Sequence, residues 1–214
     1  MWYVLTELTD RSVMLRVGSK REAPPLNEEK QSLILKAATE VFCEQGFEST
    51  SMQAIAERAG VAKGTLYLYY PSKGDLIEQV FIHCNESDVN ACQQGLEEIP
   101  SALGKLCRRL RNAVRWAVEN PEMSRIERLI LASPRYQHGR YCEQTRQREH
   151  VDKILKEGIE RGELRDMPRE LMGEIFFGIG RAVLDHISEY PAELEDETLW
   201  KQCEDCICGC LKKE

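Results

Sequence analysis

The feature that most constrains the fold of this chain is a helical spacing of apolar residues that glycine interrupts at short intervals. Between residues 34 and 42, apolar side chains recur at i, i+3, i+4, i+7 and i+8, which places them on one face of a helix. Asn27 is a typical N-cap residue, and two glutamates follow it where the helix dipole favours negative charge. Gly46 suits the position just after a helix end. These signals predict an amphipathic helix between Asn27 and Gly46.

Two short segments follow, and Gly60 separates them. The first begins after Thr50 or Ser51, and the second covers residues 62–69 and ends before Pro71. Two short helices around a glycine turn, preceded by a longer apolar-faced helix, are what a helix-turn-helix requires. The spacing therefore predicts a three-helix unit whose third helix lies in the major groove of DNA. Short helices around a glycine also occur in ordinary helical bundles, so the spacing alone leaves a purely structural unit open.

The remainder of the chain is typical of helix throughout. Ser72 and Asp75 have the spacing of a capping box, with Asp in place of Glu or Gln, and predict a long helix from this point. Later boundaries are indicated by prolines that each follow a plausible helix end. These prolines are Pro100, Pro121, Pro134, Pro168 and Pro191. No alternating strand of convincing length, internal repeat or low-complexity tract is evident. The fold class is predicted to be all-α, with about nine helices.

The same pattern divides the chain into three parts. Residues 1–26 show no sustained period and are predicted to form a flexible arm. Residues 27–74 are predicted to form the helix-turn-helix DNA-binding domain, and residues 75–214 a second, larger helical domain.

Composition limits the class of protein further. The chain of 214 residues has a net charge of −7, which argues against binding nucleic acid over its whole surface but allows a local DNA-contacting face. Its longest apolar run is far shorter than the roughly 18 to 20 residues of a membrane span. The first dozen residues do not form a secretory signal. We therefore expect a cytoplasmic protein whose nine cysteines are reduced thiols.

The third predicted helix carries side chains suited to reading DNA. Lys63 can donate to guanine acceptors, the small Gly64 lets the helix enter the groove, and Thr65 can contact a phosphate or a thymine methyl. Nearby hydroxyl and ammonium groups suit phosphate oxygens, which position a protein without specifying sequence. The predicted DNA-binding residues are Thr50, Ser51, Lys63, Gly64, Thr65, Tyr67, Tyr69 and Lys73.

Residues 27–76 resemble the DNA-binding segment of the TetR family of transcriptional regulators. The family patterns Ile-Ala…Ala-Gly-Val, Lys-Gly-Thr-Leu-Tyr and Phe-Pro-Ser-Lys are matched at residues 55–61, 63–67 and 70–73. The Thr that usually precedes the second helix is matched by Thr50. Tyr70 replaces the common Phe, and Gly74 stands where Glu or Asp is frequent. Neither departure threatens the fold, although Gly74 should weaken the first turn of its helix.

The resemblance implies a function for the second domain. A TetR-type protein is a dimeric regulator whose helical domain binds a small molecule and dimerises through its last two helices. Ligand binding alters the spacing of the two DNA-reading helices of the dimer, which lie about 34 Å apart. The dimer is then released from its pseudo-palindromic operator. We therefore expect a homodimeric repressor whose partners are a double-stranded DNA operator and an apolar or amphipathic effector. No nucleophile elbow, phosphate-cradling loop or metal-binding helix pair is present, and no enzymatic activity, cofactor or metal is expected.

Aromatic residues of the second domain are candidates for lining the effector pocket, because such pockets are mainly apolar. They are Trp116, Tyr136, Tyr141, Phe176 and Phe177. Each could instead be an ordinary core residue, and this alternative stays open.

Cysteines near the C-terminus allow an alternative within the same fold, a cysteine-based redox or metal-responsive regulator. Cys203, Cys206, Cys208 and Cys210 are clustered, and thiolates bind soft metals. On a helix, however, three of them form an apolar stripe with Leu199, and Cys208 points away from it. A single helix therefore cannot gather all four thiolates around one ion. Because buried cysteine behaves as a small hydrophobe, helix packing is the interpretation we favour.

Overall fold

The computed structural model describes residues 27–132 and 137–213, without the side chains of residues 131–145. Within these ranges the chain forms nine α-helices, one short 3₁₀ helix and no strand, which confirms the all-α prediction. The helices are α1 Glu28–Gln45, α2 Met52–Arg58, α3 Lys63–Tyr69, α4 Lys73–Gln93, α5 Ala102–Glu119, α6 Pro121–Ala132, α7 Gln137–Glu160, α8 Arg169–Glu189 and α9 Glu197–Leu211, with the 3₁₀ helix at Pro191–Glu195. The predicted arm, residues 1–26, lies outside the described part. None of the helices in the described ranges is both long and apolar enough to cross a membrane.

Both ends of α1 form where the sequence predicts them. The Asn27 side chain accepts a hydrogen bond from the Lys30 amide at 3.2 Å, which caps the first turn. Gly46 follows the helix with a φ of +77°, a conformation that residues with a Cβ rarely adopt. The start of α4 is also capped as predicted, since the Ser72 hydroxyl oxygen accepts a hydrogen bond from the Asp75 amide at 3.1 Å.

The first apolar core, which we call the N-terminal core, joins α1, α2 and α3 to the first half of α4 and to α6. Its fully buried side chains include Phe42, Ile55, Leu66, Leu76 and Ile126. The predicted domain boundary after residue 74 falls inside the first turn of α4, and Leu76 of that helix packs with the helix-turn-helix. The boundary stays a prediction, but α4 belongs to the packing of both halves.

The second apolar core, which we call the C-terminal core, is formed by α5, α7, α8 and α9. Its buried side chains include Leu106, Leu155, Met172, Ile187 and Ile207. The second half of α4 packs against α5 and α7. One continuous helix therefore runs from the N-terminal core to the helices that enclose the C-terminal core.

The last helix buries only part of the predicted stripe. The residues of α9 that face the C-terminal core are Trp200, Cys203, Ile207 and Leu211. Cys203 packs in this core as predicted, whereas Cys206 and Cys210 are exposed in the single chain, so their packing against a partner helix stays a prediction. Trp200 accounts for this orientation, because its indole N–H donates to the Leu194 carbonyl at 2.7 Å inside the protein. A buried indole needs such a partner, so the tryptophan determines which side of α9 turns inward.

Candidate nucleic-acid interface

The turn between α2 and α3 is held by its own backbone. Ser51 is extended before α2, and its hydroxyl oxygen accepts a hydrogen bond from an amide of the first turn at 3.1 Å. Gly60 follows α2 with a φ of +66°. The Val61 amide then donates to the Ala56 carbonyl at 2.9 Å, which closes the turn. These local bonds set the direction in which α3 leaves the turn.

The outward side of α3 forms a surface that we call the reading face, made of Lys63, Gly64, Tyr67 and Leu68. These positions follow the spacing i, i+1, i+4 and i+5, which is one side of a helix, while Leu66 between them is fully buried. Tyr67 is 42% exposed and Leu68 is 65% exposed. A side chain added at Gly64 would meet nothing within 4 Å, so there is space for a base edge or a phosphate. The reading face thus combines an ammonium, a phenol, an apolar side chain and the free space at Gly64. This combination suits contacts in a major groove.

Thr65 and Tyr69 lie at the edges of the reading face. Both side chains are partly buried. The ring of Tyr69 packs against the ring of Tyr70, with centroids 6.4 Å apart, and Tyr70 belongs to the N-terminal core. Their contacts with DNA stay predictions, with Tyr69 held in place by the core beneath it.

Thr50 has a structural role within the protein. Its side chain is only 2% exposed, and its hydroxyl donates to the Gly46 carbonyl at 2.7 Å. The hydroxyl also lies 3.4 Å from the Val41 carbonyl. The last carbonyls of a helix lack partners within the helix, and Thr50 supplies one for α1. Its hydroxyl is therefore not available to DNA in this structure, and a phosphate contact by Thr50 stays a prediction.

Lys73 is likewise occupied within the protein. Its Nζ donates to the carbonyls of Phe47, Glu48 and Thr50 at 2.8, 3.1 and 3.1 Å. An ammonium has three N–H donors, so these carbonyls use its whole capacity. In this structure no donor of Lys73 is left for a phosphate, and a direct contact with DNA stays a prediction. Lys73 joins the loop after α1 to the start of α4 and so positions the residues that precede α2.

Acidic side chains on α1 are paired with a basic residue of α2. Arg58 contacts Glu44 at 2.7 Å and Glu40 at 3.2 Å. The hydrogen bond from Arg58 holds the pKa of Glu44 below its usual range. Exposed pairs of this kind add little stability, but they reduce the negative field that these carboxylates would present to a phosphate backbone.

Leu68 is the member of the reading face that the sequence analysis omits. The helical period places it one turn after Gly64, so the signal was present in the spacing. Leucine has no hydrogen-bond donor, but an apolar side chain recognises a base through contact with a thymine methyl group.

The described candidates for the effector pocket are packed against protein. Trp116 is buried and its indole N–H donates to the Ser87 hydroxyl at 3.0 Å. Phe176 is buried in the C-terminal core, 5.5 Å from the ring of the partly buried Phe177. Tyr136 and the side chain of Tyr141 lie outside the described residues. A groove of about 320 Å³ beside α3 and α4, and one of about 260 Å³ between α5 and α9, are lined by other residues.

The described cysteines are free thiols. In the ranges that the structure covers, no three His, Cys, Asp or Glu side chains are grouped in a way that could hold a metal ion.

The helix-turn-helix matches a known family. Residues 34–80 match the family model of the bacterial regulatory proteins of the tetR family. The matched stretch begins in α1, includes the whole reading face and ends in α4. The match therefore covers the part of the chain whose geometry suits DNA.

The likeness to known proteins extends beyond this segment. The fatty acid metabolism regulator protein of Bacillus subtilis is 26% identical over 152 residues, which cover 70% of this chain and 78% of that protein. A protein of Shewanella sp. PV-4, described as a tetR family transcription regulator, has a TM-score of 0.76 and 26% identity, covering 86% of this chain and 99% of its own. The regulator FadR of Bacillus subtilis, solved in complex with stearoyl-CoA, has a TM-score of 0.73 and 22% identity, covering 83% and 97%.

Proposed function

This chain belongs to the TetR family of bacterial regulatory proteins, and we propose that it is a homodimeric repressor that a small molecule releases from its operator. It is a helix-turn-helix regulator of transcription that binds DNA. Repression, dimerisation and release by an effector are the parts that we infer.

The reading face of α3 carries the proposal for DNA recognition. We assign Lys63 to guanine acceptors, and Leu68 and Thr65 to thymine methyl groups or the adjoining backbone. Tyr67, Tyr69 and Ser51 are assigned to phosphates, which position the helix in the groove. Gly64 leaves the space that lets the helix approach. Thr50 and Lys73 support this surface from behind through the carbonyls that they bind.

The test is binding of the full chain to fragments of its own promoter region and to a random duplex of equal length. Both titrations are done at one physiological salt concentration and repeated at higher salt, because phosphate contacts make affinity salt-dependent. We expect a preference for one promoter fragment that contains a pseudo-palindrome. Equal, weak binding to every duplex would overturn the assignment of sequence-specific reading.

The proposal of an amphipathic effector is supported by two proteins that this chain resembles. The fatty acid metabolism regulator of Bacillus subtilis resembles this chain over most of its length, and FadR of the same organism holds stearoyl-CoA. In this chain, α4 connects the reader to the helices around the C-terminal core. A molecule that binds beside the second half of α4 can therefore alter the position of the reader, provided that it prefers one arrangement.

Dimerisation through α8 and α9 is supported by the surface of these helices. The exposed residues on their outer sides include a leucine and several small residues, namely Leu171, Gly178, Ala182, Cys206, Gly209 and Cys210. Small residues allow two helices to approach closely, and an exposed apolar strip is typical of an interface.

The size of the particle in solution tests this interface. We expect the wild-type chain to have the mass of a dimer in light scattering at micromolar concentration, and Ala182→Arg to shift it toward the monomer. Asn90→Arg, on the exposed side of α4, is the matched control and should leave the mass unchanged. A monomeric wild-type chain would overturn the proposed dimer.

A further inference from the structure

A group of buried and partly buried polar side chains lies between the two apolar cores, and we call it the polar layer. It is formed by Asn85, Asp88 and Cys92 of α4, Arg109 of α5 and Gln147 of α7. Asn85 directly follows Cys84, a residue of the N-terminal core, and Arg109 lies between two leucines of the C-terminal core. The polar layer therefore interrupts the apolar packing at the height where α4 passes from one core to the other.

Arg109 is the charged centre of this layer. It is only 2% exposed, and its Nη2 donates to the Gln147 amide oxygen. Its Nη1 is buried and has no hydrogen-bond partner among the described residues. A buried guanidinium normally pairs with an acid, because removing its charge from water is unfavourable without one. Here the bonded partner is a neutral amide, so one side of the guanidinium lacks an acceptor among the described residues.

Asp88 is the acid of the polar layer, but it is engaged by other donors. Its Oδ2 accepts a hydrogen bond from the Gln147 amide at 2.7 Å, and its Oδ1 accepts one from the Cys92 thiol at 3.2 Å. Burial raises the pKa of Asp88, which favours its neutral form relative to an exposed aspartate. Burial and the charge of Arg109 also lower the pKa of His150 nearby. The positive charge of Arg109 opposes the rise in pKa at Asp88 and at Cys92, so it acts on these neighbours although no carboxylate is hydrogen-bonded to it.

We propose that Arg109 binds the carboxylate of an amphipathic effector between α4, α5 and α7. This assignment deepens the proposed effector function and rests on it. A single carboxylate matches a single open guanidinium side in charge and in hydrogen-bond geometry. A phosphate dianion would bring a second charge into a buried layer that offers only one cation. The Nη1 group donates to the bound carboxylate, and the Gln147 amide oxygen is the protein acceptor that the ligand supplements or displaces.

The residues around Arg109 favour a ligand that has an apolar tail. Leu106 and Leu110 flank it on α5, and Val151 and Leu155 lie on α7 after Gln147, all four buried in the C-terminal core. A ligand whose head group reaches Arg109 therefore places its remainder among aliphatic side chains. An extended hydrocarbon chain fits this environment, whereas a polar remainder would be desolvated without partners.

Binding at Arg109 acts on α4 directly. Gln147 connects Arg109 to Asp88, so a carboxylate that replaces the amide at Arg109 changes the hydrogen bond that α7 makes to α4. The N-terminal half of the same helix packs in the N-terminal core beneath α3. The ligand thus acts on a helix that packs both against the proposed sensing site and in the N-terminal core.

The experiment compares dodecanoate with dodecanamide, which has the same tail and a neutral head group, by calorimetric titration of the full chain below the aggregation limit of each compound. We expect dodecanoate to bind the wild-type chain at least roughly tenfold more tightly, the effect of one charge-assisted contact. In Arg109→Met this ratio should fall to about one. The exposed neighbour provides the matched control, and Arg108→Met should keep the wild-type ratio.

Three results would overturn the proposal: equal affinities for the two compounds in the wild-type chain, an unchanged ratio in Arg109→Met, or no binding of dodecanoate at millimolar concentration. If Arg109→Met does not fold, the wild-type ratio and Arg109→Lys, which retains the charge and should retain part of the preference, decide the question. Promoter binding is measured on the same preparations. If dodecanoate binds through Arg109 but does not release DNA, the proposed release by an effector is wrong and the binding site stands. If dodecanamide releases DNA as well as dodecanoate does, the binding site is wrong and release by an effector stands.

Discussion

The interiors of the two halves of the molecule differ in how many buried polar groups they contain. The N-terminal core is mainly apolar, and side chains such as Phe42, Ile55 and Leu66 are fully buried in it, although the Tyr70 hydroxyl is also buried there without a hydrogen-bond partner among the described residues. The C-terminal half borders on the polar layer, where Arg109 and Asn85 each keep a buried polar atom without a partner among the described residues. Unsatisfied buried groups are unfavourable, so natural proteins retain few of them.

This difference follows from what each half must do. A reader of DNA needs one fixed orientation of α3, and a closed apolar core beneath it supplies a single arrangement. A sensor needs two arrangements of similar free energy, so that a ligand can favour one of them. In the function that we propose, the polar groups without partners beside α4 are completed by the ligand. The comparison predicts that equal perturbations have unequal consequences in the two halves.

The largest expected effect is loss of core packing in the reader. Phe42→Ala should lower the free energy of unfolding by about 3–5 kcal/mol, because a fully buried aromatic is replaced by a cavity. Phe177→Ala removes the same atoms from a partly buried site and should cost about 1 kcal/mol. Urea unfolding at one protein concentration measures both. Equal losses would contradict the closed packing around Phe42 and the partly open site of Phe177.

Lys63→Ala should reduce discrimination between operator and random DNA by about 1–3 kcal/mol, because a base contact is lost while the fold is kept. Fluorescence anisotropy titrations on both duplexes at fixed salt give this difference. Lys201→Ala, an exposed lysine of α9, removes the same charge from the other half and should leave discrimination unchanged. If the operator preference survives Lys63→Ala, the reading face is assigned to the wrong residues.

Lys73→Met distinguishes a positioning lysine from a phosphate ligand. Because three carbonyls lose their donor, we expect the free energy of unfolding to fall by about 1–2 kcal/mol. DNA affinity should fall with a nearly unchanged salt dependence. A direct phosphate contact would instead lower the slope of log affinity against log salt by about 1 and leave stability nearly unaffected. Salt titrations and urea unfolding of one preparation separate the two roles.

Asp88→Asn should produce the smallest effect and tests the polar layer without a ligand. The pKa of Asp88 is raised by burial, so the folded state binds its proton more tightly than the unfolded state does. The stability from this group is full below the ordinary aspartate pKa and is lost as pH rises through the folded pKa. The asparagine variant should therefore gain stability relative to wild type at neutral pH, and this gain should vanish in acid. A difference independent of pH would exclude titration of Asp88 as its cause.

The sequence predicts the reader better than the sensor because its determinants are local. Asn27, Gly46 and Gly60 act through caps and turns within a few residues, and all three lie where the spacing indicates. The roles of Thr50 and Lys73 depend on which carbonyls lie within reach after folding. A hydroxyl or an ammonium suits a carbonyl as well as a phosphate, so residue type alone does not decide between them.

The sensing half depends on long-range packing that the sequence does not display. The inward side of α9 carries Trp200, which is bonded to a carbonyl of the preceding 3₁₀ helix, and the cysteine spacing alone does not show that Cys203 faces inward while Cys206 and Cys210 face outward. Arg109 gives no sign in the sequence that it is buried, since arginine is usually exposed. Its isolation from a carboxylate becomes evident only when α4, α5 and α7 are assembled.

Hydroxyl-radical footprinting of the promoter fragment tests the central claim, that α3 reads DNA in a paired arrangement. We predict two protected half-sites of related sequence, separated by about one helical turn or a multiple of it, both weakened by Lys63→Ala. Uniform weak protection along the fragment, or a single protected site that Lys63→Ala does not change, would contradict the account.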